Sequence, residues 1–89
     1  MSYYLGTLHV ECGAYRYEYF VRFEARNERD AEQRLHSIAA TIFSSCVTPA
    51  GENRYQARHN GAIVFVSPGT KKQVSRQTFD DLASMITVQ

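Results

Sequence analysis

The sequence predicts an α+β domain with the element order β-β-α-β-β-α, built as a four-stranded antiparallel sheet with two helices packed on one face. Residues 15–24 alternate between apolar and mainly charged side chains, which is the period of a half-buried strand. Asn60-Gly61 separates two strand-like runs and is a strong signal for a β-hairpin. Apolar stripes at helical spacing follow Asn27 and Ser75, one after each hairpin.

Length and composition favour one folded unit. The chain has 89 residues, of which 44% are hydrophobic and 21% are charged, close to globular averages. We therefore expect residues 1–89 to form a single compact domain with its own core. The N-terminus lacks the basic start and apolar run of a signal peptide, which predicts a cytoplasmic protein whose Cys12 and Cys46 are reduced.

The first hairpin is predicted from residues 3–25. A strand over residues 3–12, with Gly6 marking a bulge, is followed by the tight connection Cys12-Gly13-Ala14 and by a second strand to Ala25. The second strand should turn one set of its side chains toward the helices, namely Tyr15, Tyr17, Tyr19, Val21 and Phe23.

The first helix is predicted to begin after Asn27. Asn27 is a suitable N-cap, and Glu28 and Asp30 suit the positive end of a helix dipole. The apolar stripe that follows consists of Ala31, Leu35, Ile38, Ala39 and Ile42. Residues 44–52 are predicted to form the longest loop.

The second half repeats the hairpin-helix order. Strands over residues 54–58 and 62–67 should flank the turn at Asn60-Gly61, and Ser67-Pro68-Gly69 should end the second of them. A basic loop over residues 70–74 then leads to Ser75, which caps a second helix. The buried stripe of that helix is predicted to be Phe79, Leu82, Ala83 and Ile86.

Positive charge is concentrated in one stretch of a nearly neutral chain. The formal net charge is +1, yet the residues from Asn53 to Phe79 include no acid. The five basic residues of this stretch are predicted to converge where the second hairpin meets the second helix and to form a partner-binding surface. They are Arg54, Arg58, Lys71, Lys72 and Arg76. The alternative is that these residues form only a solvated rim with no partner. The modest positive charge favours this alternative, since the pI of 7.8 is below the value of about 9 typical of nucleic-acid-binding domains.

The open face of the sheet is the second candidate surface. It should present Arg16, Phe20 and Arg22, together with Glu18 and Glu24, on the second strand. The third strand turns outward either Arg54, Gln56 and Arg58 or Tyr55 and Ala57, and the fourth either Ile63 and Phe65 or Val64 and Val66. Mixed arginine and aromatic side chains are typical of surfaces for a partner protein or for stacked bases. A solvated face with cross-strand ion pairs is the simpler alternative.

The sequence offers little for catalysis, cofactors or metals. It lacks a glycine-rich phosphate loop and a nucleophile elbow. His9 and Cys12 are three apart on a strand, so their side chains point to opposite faces and cannot chelate one ion. We expect a protein that is not an enzyme and binds no cofactor.

Residues 3–43 resemble small accessory proteins of phages and mobile elements, including anti-CRISPR inhibitors. The resemblance lies in the short chain, in the tyrosine-rich first hairpin and in the step from Phe23-Glu24-Ala25-Arg26-Asn27 into an alanine-rich helix with Ala31 and Leu35. It implies an inhibitor that acts by occluding a host nucleoprotein complex. The near-neutral charge departs from the acidic DNA-mimic type, which favours contact through basic and aromatic residues.

Three hypotheses of function follow. The first is a non-enzymatic module that binds a protein partner through the open face and the basic stretch. The second is a weak RNA or single-stranded DNA binder that uses the same residues. The third is a homodimer that pairs its sheets. No apolar run approaches the length of a membrane span, so we expect no membrane partner.

Overall fold

The computed structural model describes residues 1–43 and 47–86 of the chain. Its elements, in chain order, are β1 (Ser2–Cys12), β2 (Tyr15–Ala25), α1 (Glu28–Thr41), β3 (Val47–Pro49), β4 (Tyr55–His59), β5 (Ala62–Val74) and α2 (Arg76–Asp81), which continues into a 3-10 turn (Leu82–Ser84). The strands form one antiparallel sheet in the order β2-β1-β5-β4-β3. The α+β class is therefore confirmed. The predicted strand count of four is wrong, because the described residues form five.

The fifth strand lies within the segment predicted as a loop. Val47–Pro49 pairs with Tyr55–Ala57 at the outer edge of the sheet. Proline is tolerated there because an edge strand does not need every backbone N–H for pairing. Of the predicted loop, Ser44, Ser45 and Cys46 lie outside the described residues.

Both hairpins form as predicted. Cys12 pairs with Tyr15 across the two-residue turn at Gly13-Ala14. In the second hairpin, Asn60 and Gly61 have φ of 52° and 81°. Positive φ at both central positions defines a type I′ turn, which Asn and Gly adopt with little strain.

The strand β5 is longer than predicted. It does not end at Pro68-Gly69 but continues to Val74 beside β1. The register shifts between Gly6 and Leu8 of β1, opposite Lys71 and Pro68 of β5, so that β5 carries one extra residue. Beyond Val66, β5 pairs with β1 alone, because β4 begins at Tyr55 opposite Val66. Pro68 therefore lies beside a bulge and at an edge of the sheet, two places where a strand tolerates proline.

The helix α1 packs on one face of the sheet, called here the helix face. Asn27 caps it by accepting a hydrogen bond from the backbone N–H of Asp30 at 2.8 Å, as predicted. Leu35 is fully buried among side chains that include Phe23 and Val21. Gly6 lets the helix approach, because a Cβ there would lie 2.8 Å from Cδ1 of Leu35. Across the described residues, no helix is long and apolar enough to cross a membrane.

The helix α2 lies on the opposite face from α1, so the prediction of both helices on one face is wrong. The rings of Tyr3 and Phe79 lie 4.9 Å apart, whereas the neighbouring Tyr4 stacks on Phe23 under α1. The helix face at this end of the sheet is already filled by α1. The short α2 can therefore bury Phe79 only on the other side.

The predicted burial of three tyrosines is also wrong. Tyr15, Tyr17 and Tyr19 share the face of Val21 and Phe23 but are 77%, 48% and 38% exposed. A helix of 14 residues is about 21 Å long, whereas an 11-residue strand is about 36 Å long. The helix covers β2 only from Val21 to Ala25, and the tyrosines extend beyond it.

Candidate binding surface

The candidate surface is the face of the sheet opposite α1, at the end that α2 leaves uncovered. We call it the open face, and it consists of Thr7, His9 and Glu11 of β1, Arg16, Glu18 and Phe20 of β2, Ile63, Phe65 and Ser67 of β5, and Arg54, Gln56 and Arg58 in and beside β4. The pairing settles two alternatives that the sequence left open. Arg54, Gln56 and Arg58 face outward on β4, and Ile63 and Phe65 do so on β5, because Val64 and Val66 are buried.

A row of four side chains crosses the open face over neighbouring strands. The guanidinium of Arg54 lies over the ring of Phe65, 4.1 Å from its centroid. The same group donates to the carboxylate of Glu11 at 3.1 Å. Glu11 also faces Arg16 of β2, with Nε and Oε1 4.0 Å apart. We call Arg54, Phe65, Glu11 and Arg16 the cross-strand row.

The cross-strand row holds one arginine in place while leaving it accessible. The side chain of Arg54 is 41% exposed although it is stacked on one side and hydrogen-bonded on another. The side chain of Arg16 is 81% exposed and only loosely paired. A guanidinium has five N–H donors, so Arg54 keeps donors free for a further acceptor.

Apolar side chains lie exposed on both sides of the row. Ile63 is 43% exposed toward the hairpin turns, and Phe20 is 49% exposed on β2. An open groove of about 420 Å³ lies over His9, Glu11 and Arg16. A second open depression, of about 740 Å³, is lined by Cys12, Tyr15, Gln56, Ile63 and Phe65, among others. The surface therefore combines apolar contact area with oriented donors.

The five basic residues of the predicted cluster do not converge. Arg54 and Arg58 lie on the open face near the hairpin turns, with Arg58 beside Ile63. Lys72 pairs with Leu5 at the other end of β5, nine residues and about 30 Å along the strand from Ile63, the partner of Arg58. Arg76, at the start of α2, faces Asp80 at 3.9 Å. The physical reason is that β5 runs straight on where the sequence suggested a loop.

Lys71 belongs to the helix face and is held there by α1. Its ammonium group donates to Glu32 at 2.7 Å and contacts Glu28 at 3.2 Å. The hydrogen bond to Glu32 raises the pKa of Lys71, and the same bond lowers the pKa of the Glu32 carboxyl. Lys71 therefore ties β5 to α1 and is not part of the open face.

Arg22 was expected on the open face but is buried. It is 8% exposed, because α2 covers it. Its guanidinium lies 4.7 Å from the centre of the Phe79 ring and donates to the backbone carbonyls of Phe79 and Ile86. Its role in the structure is to attach α2 to the sheet. Of the predicted β2 residues, Arg16 and Phe20 remain on the open face.

Sequence reasoning missed the part that Glu11 plays. Strand parity alone places Glu11 on the same side as His9, but its position between two arginines depends on the register of β1 against β2 and β5. Acidic residues were counted only as charge balance in the sequence. Arg54, which lies in the acid-free stretch, thus receives its carboxylate partner from another strand.

The part of the chain that the structure describes holds no group of three or more potential metal ligands. Comparisons with models of protein families, with curated proteins and with solved structures found no match to this chain.

Proposed function

We propose that this protein is a non-enzymatic binding module that contacts a protein partner through the open face. The observation that carries the proposal is the placement of Arg54. It is stacked on Phe65, bonded to Glu11 and still 41% exposed, with Ile63 and Phe20 exposed on either side. Arginine and aromatic residues are enriched among those that dominate the binding energy of protein interfaces.

The prior ordering of Arg54 supports a binding role. An arginine that is mobile in the free protein loses side-chain entropy on binding, about 0.5–1.5 kcal/mol for such a side chain. Phe65 and Glu11 already restrict Arg54, so much of that loss has occurred before the partner arrives. The exposed apolar area of Ile63 would supply the hydrophobic contact that surrounds such an anchor.

The charge pattern favours a protein over a nucleic acid. On the open face, Glu11 and Glu18 alternate with Arg16 and Arg54. Both arginines face the carboxylate of Glu11, and Arg54 is the closer of the two. A polyphosphate chain would meet acids as well as bases there. The basic residue with the strongest pairing, Lys71, points to the other face.

The direct test compares charge reversal on the open face with a matched reversal elsewhere. Arg54→Glu with Arg58→Glu should abolish capture of the partner in a pull-down from the native host. The control, Arg29→Glu with Arg34→Glu, changes the net charge equally on exposed positions of α1 and should retain capture. The control should keep a melting temperature near that of the parent, and Arg54→Glu with Arg58→Glu should lower it only slightly, because a half-exposed ion pair contributes about 0.2–1 kcal/mol. Equal capture by the two double variants would refute the open face as the binding surface.

Titration separates the protein hypothesis from its nucleic-acid alternative. A labelled single-stranded DNA or RNA oligonucleotide is titrated with the parent at about 50 mM and about 200 mM salt, where a phosphate binder loses affinity steeply. We expect negligible binding at both. Tight binding at low salt that Arg54→Glu with Arg58→Glu removes would favour the nucleic-acid alternative.

The resemblance of residues 3–43 to inhibitors from mobile elements gives the proposal a narrower form. In that form, the open face occludes a host nucleoprotein complex such as a CRISPR effector. Purified effector complexes from the host would then lose target binding or cleavage on addition of the parent. The variant with Arg54→Glu and Arg58→Glu would leave them active.

A further inference from the structure

The outer strand β2 has a half that both helices leave uncovered. Every residue from Tyr15 to Phe20 is exposed, so side chains on both faces of this segment are accessible. We call Tyr15–Phe20 the free half of β2. Strand β2 lies at one end of the sheet order and pairs on one side only, with β1. Long exposed edge strands are templates for pairing with another chain.

The hairpin fixes which backbone groups of the free half point outward. Cys12 and Tyr15 close a two-residue turn, so Tyr15 exchanges its backbone hydrogen bonds with β1. Hydrogen-bonded and non-hydrogen-bonded positions alternate along an antiparallel pair. The N–H and C=O groups of Arg16, Glu18 and Phe20 therefore point away from β1, and none of them bonds to another backbone group among the described residues.

The side chains of the free half are complementary to themselves in one antiparallel register. With Tyr17 opposite Tyr17 of a second copy, Arg16 lies opposite Glu18 on both sides of the symmetry axis. Tyr15 then lies opposite Tyr19, also twice. Cross-strand pairs of opposite charge and pairs of aromatic residues each stabilise antiparallel strands. We propose that a second copy of this chain pairs with the free half of β2, centred on Tyr17.

Neighbouring registers are less favourable. Centring on Glu18 places two carboxylates opposite each other, and centring on Tyr19 places Arg16 opposite Arg22. Centring on Phe20 gives Glu18 the partner Arg22, whose guanidinium is already bonded to the carbonyls of Phe79 and Ile86. That register also lays the free half against the part of β2 that the helices cover. The register centred on Tyr17 uses exposed residues alone.

The dimer would place both open faces on the same side. Antiparallel strands are related by a twofold axis perpendicular to the sheet, so side chains that face one way in one copy do so in the other. Two sheets of five strands would become one sheet of ten. Both α1 helices would lie on the reverse side, each over the half of β2 that is farther from the twofold axis. Phe20 and Arg16 of each copy would then line the centre of one continuous open face.

Charge exchange tests the pairing and its register together. Arg16→Glu and Glu18→Arg each turn two attractive pairs into repulsive ones, and each variant alone should show a dimer dissociation constant raised by about tenfold or more in analytical ultracentrifugation. Mixed in equal amounts, the two variants restore both opposite-charge pairs and should form a heterodimer. In the register centred on Phe20, the same mixture would place the new acid of Arg16→Glu opposite Glu24. It would also place the new base of Glu18→Arg opposite Arg22, so the mixture would gain nothing.

A disulfide trap gives the second measurement. In a background with Cys12→Ser and Cys46→Ser, Tyr17→Cys places two thiols at a non-hydrogen-bonded pair with Cα atoms about 4.5 Å apart, within disulfide range. This variant should cross-link under mild oxidation. The control, Glu18→Cys, would hold its two Cα atoms about 8 Å apart and should stay monomeric on a non-reducing gel.

Three results would overturn the proposal. The first is that the parent sediments as a monomer up to submillimolar concentration. The second is that the mixture of the two charge variants does not associate. The third is that Glu18→Cys cross-links in preference to Tyr17→Cys. A monomer whose β2 edge still captures an extended peptide would assign this edge to another protein's strand. Binding of the partner by Arg54 and Arg58 is measured separately, so either proposal can fail alone.

Discussion

Arg22 is expected to be the residue that attaches α2 to the sheet. Its guanidinium donates to the carbonyls of Phe79 and Ile86 and lies against the Phe79 ring. Arg22 is only 8% exposed. Arg22→Met keeps a similar apolar stem and removes the charged head. The change leaves both carbonyls without their donor and the ring without its cation.

The expected loss can be worked from these contacts. A hydrogen bond from a charged donor contributes about 1.5–3 kcal/mol, and a partly desolvated cation–π contact about 0.5–2 kcal/mol. Contacts that share one guanidinium are not additive, and methionine recovers some packing, so we expect Arg22→Met to lower the free energy of unfolding by about 2–4 kcal/mol. Urea denaturation measures this loss. Arg29→Met, at an exposed position of α1, is the matched control and should change stability by less than about 0.5 kcal/mol.

Hydrogen exchange locates the effect. In Arg22→Met, the backbone amides of Arg76–Asp81 should lose protection before those of Glu28–Thr41, because α2 has few other attachments while α1 packs on the core. A loss below about 1 kcal/mol with α2 amides still protected would refute the reasoning. The packing of Tyr3 on Phe79 would then be what holds α2 in place.

Three further predictions concern the helix face and the second turn. Gly6→Ala should cost about 1–3 kcal/mol in urea denaturation, and less in a Leu35→Ala background that lacks the methyl 2.8 Å from the new Cβ. Lys71→Met should lower the free energy of unfolding most near neutral pH. The bond from Lys71 lowers the pKa of Glu32, so it stabilises the fold above the ordinary pKa of 4.5, and this stability is lost as the pH falls through the folded-state pKa. A difference in unfolding free energy between parent and variant that stays constant down to about pH 3 would contradict this. Gly61→Val should cost about 1–2 kcal/mol at its φ of 81°, whereas Gly61→Asn should cost less, as thermal melts of the pair would show.

Local signals predicted the features that depend on neighbouring residues. The Asn60-Gly61 turn, the Asn27 cap and the helical stripe around Leu35 each depend on residues within a few positions of one another. All three are confirmed. The strand character of Tyr15–Ala25 is likewise confirmed, since alternation is a local property.

Features that depend on distant parts of the chain were not predictable in this way. Pro68-Gly69 is a valid local signal for the end of a strand, but pairing with β1 and a bulge override it. Because β5 continues, α2 begins at the far end of the sheet and on the other face, and Arg22 becomes buried. The predicted basic cluster separates for the same reason. A single wrong strand end thus accounts for the wrong placement of α2 and for the separation of the five basic residues that were predicted to converge.

The strand β2 shows how stability and binding are divided over this sheet. Val21, Phe23 and Ala25 are fully buried under α1, and on the opposite side Arg22 lies under α2. The free half, Tyr15–Phe20, contributes little to that core. A total stability of about 0.05–0.15 kcal/mol per residue leaves a small domain sensitive to single changes in its core. Substitutions of side chains in the free half can therefore alter an interface at little cost in folding, whereas those at the buried positions Val21, Phe23 and Ala25 cannot. The aromatic side chains of the free half lie outside the core, so in the proposed dimer they would supply contact area to the second copy without loss of core packing.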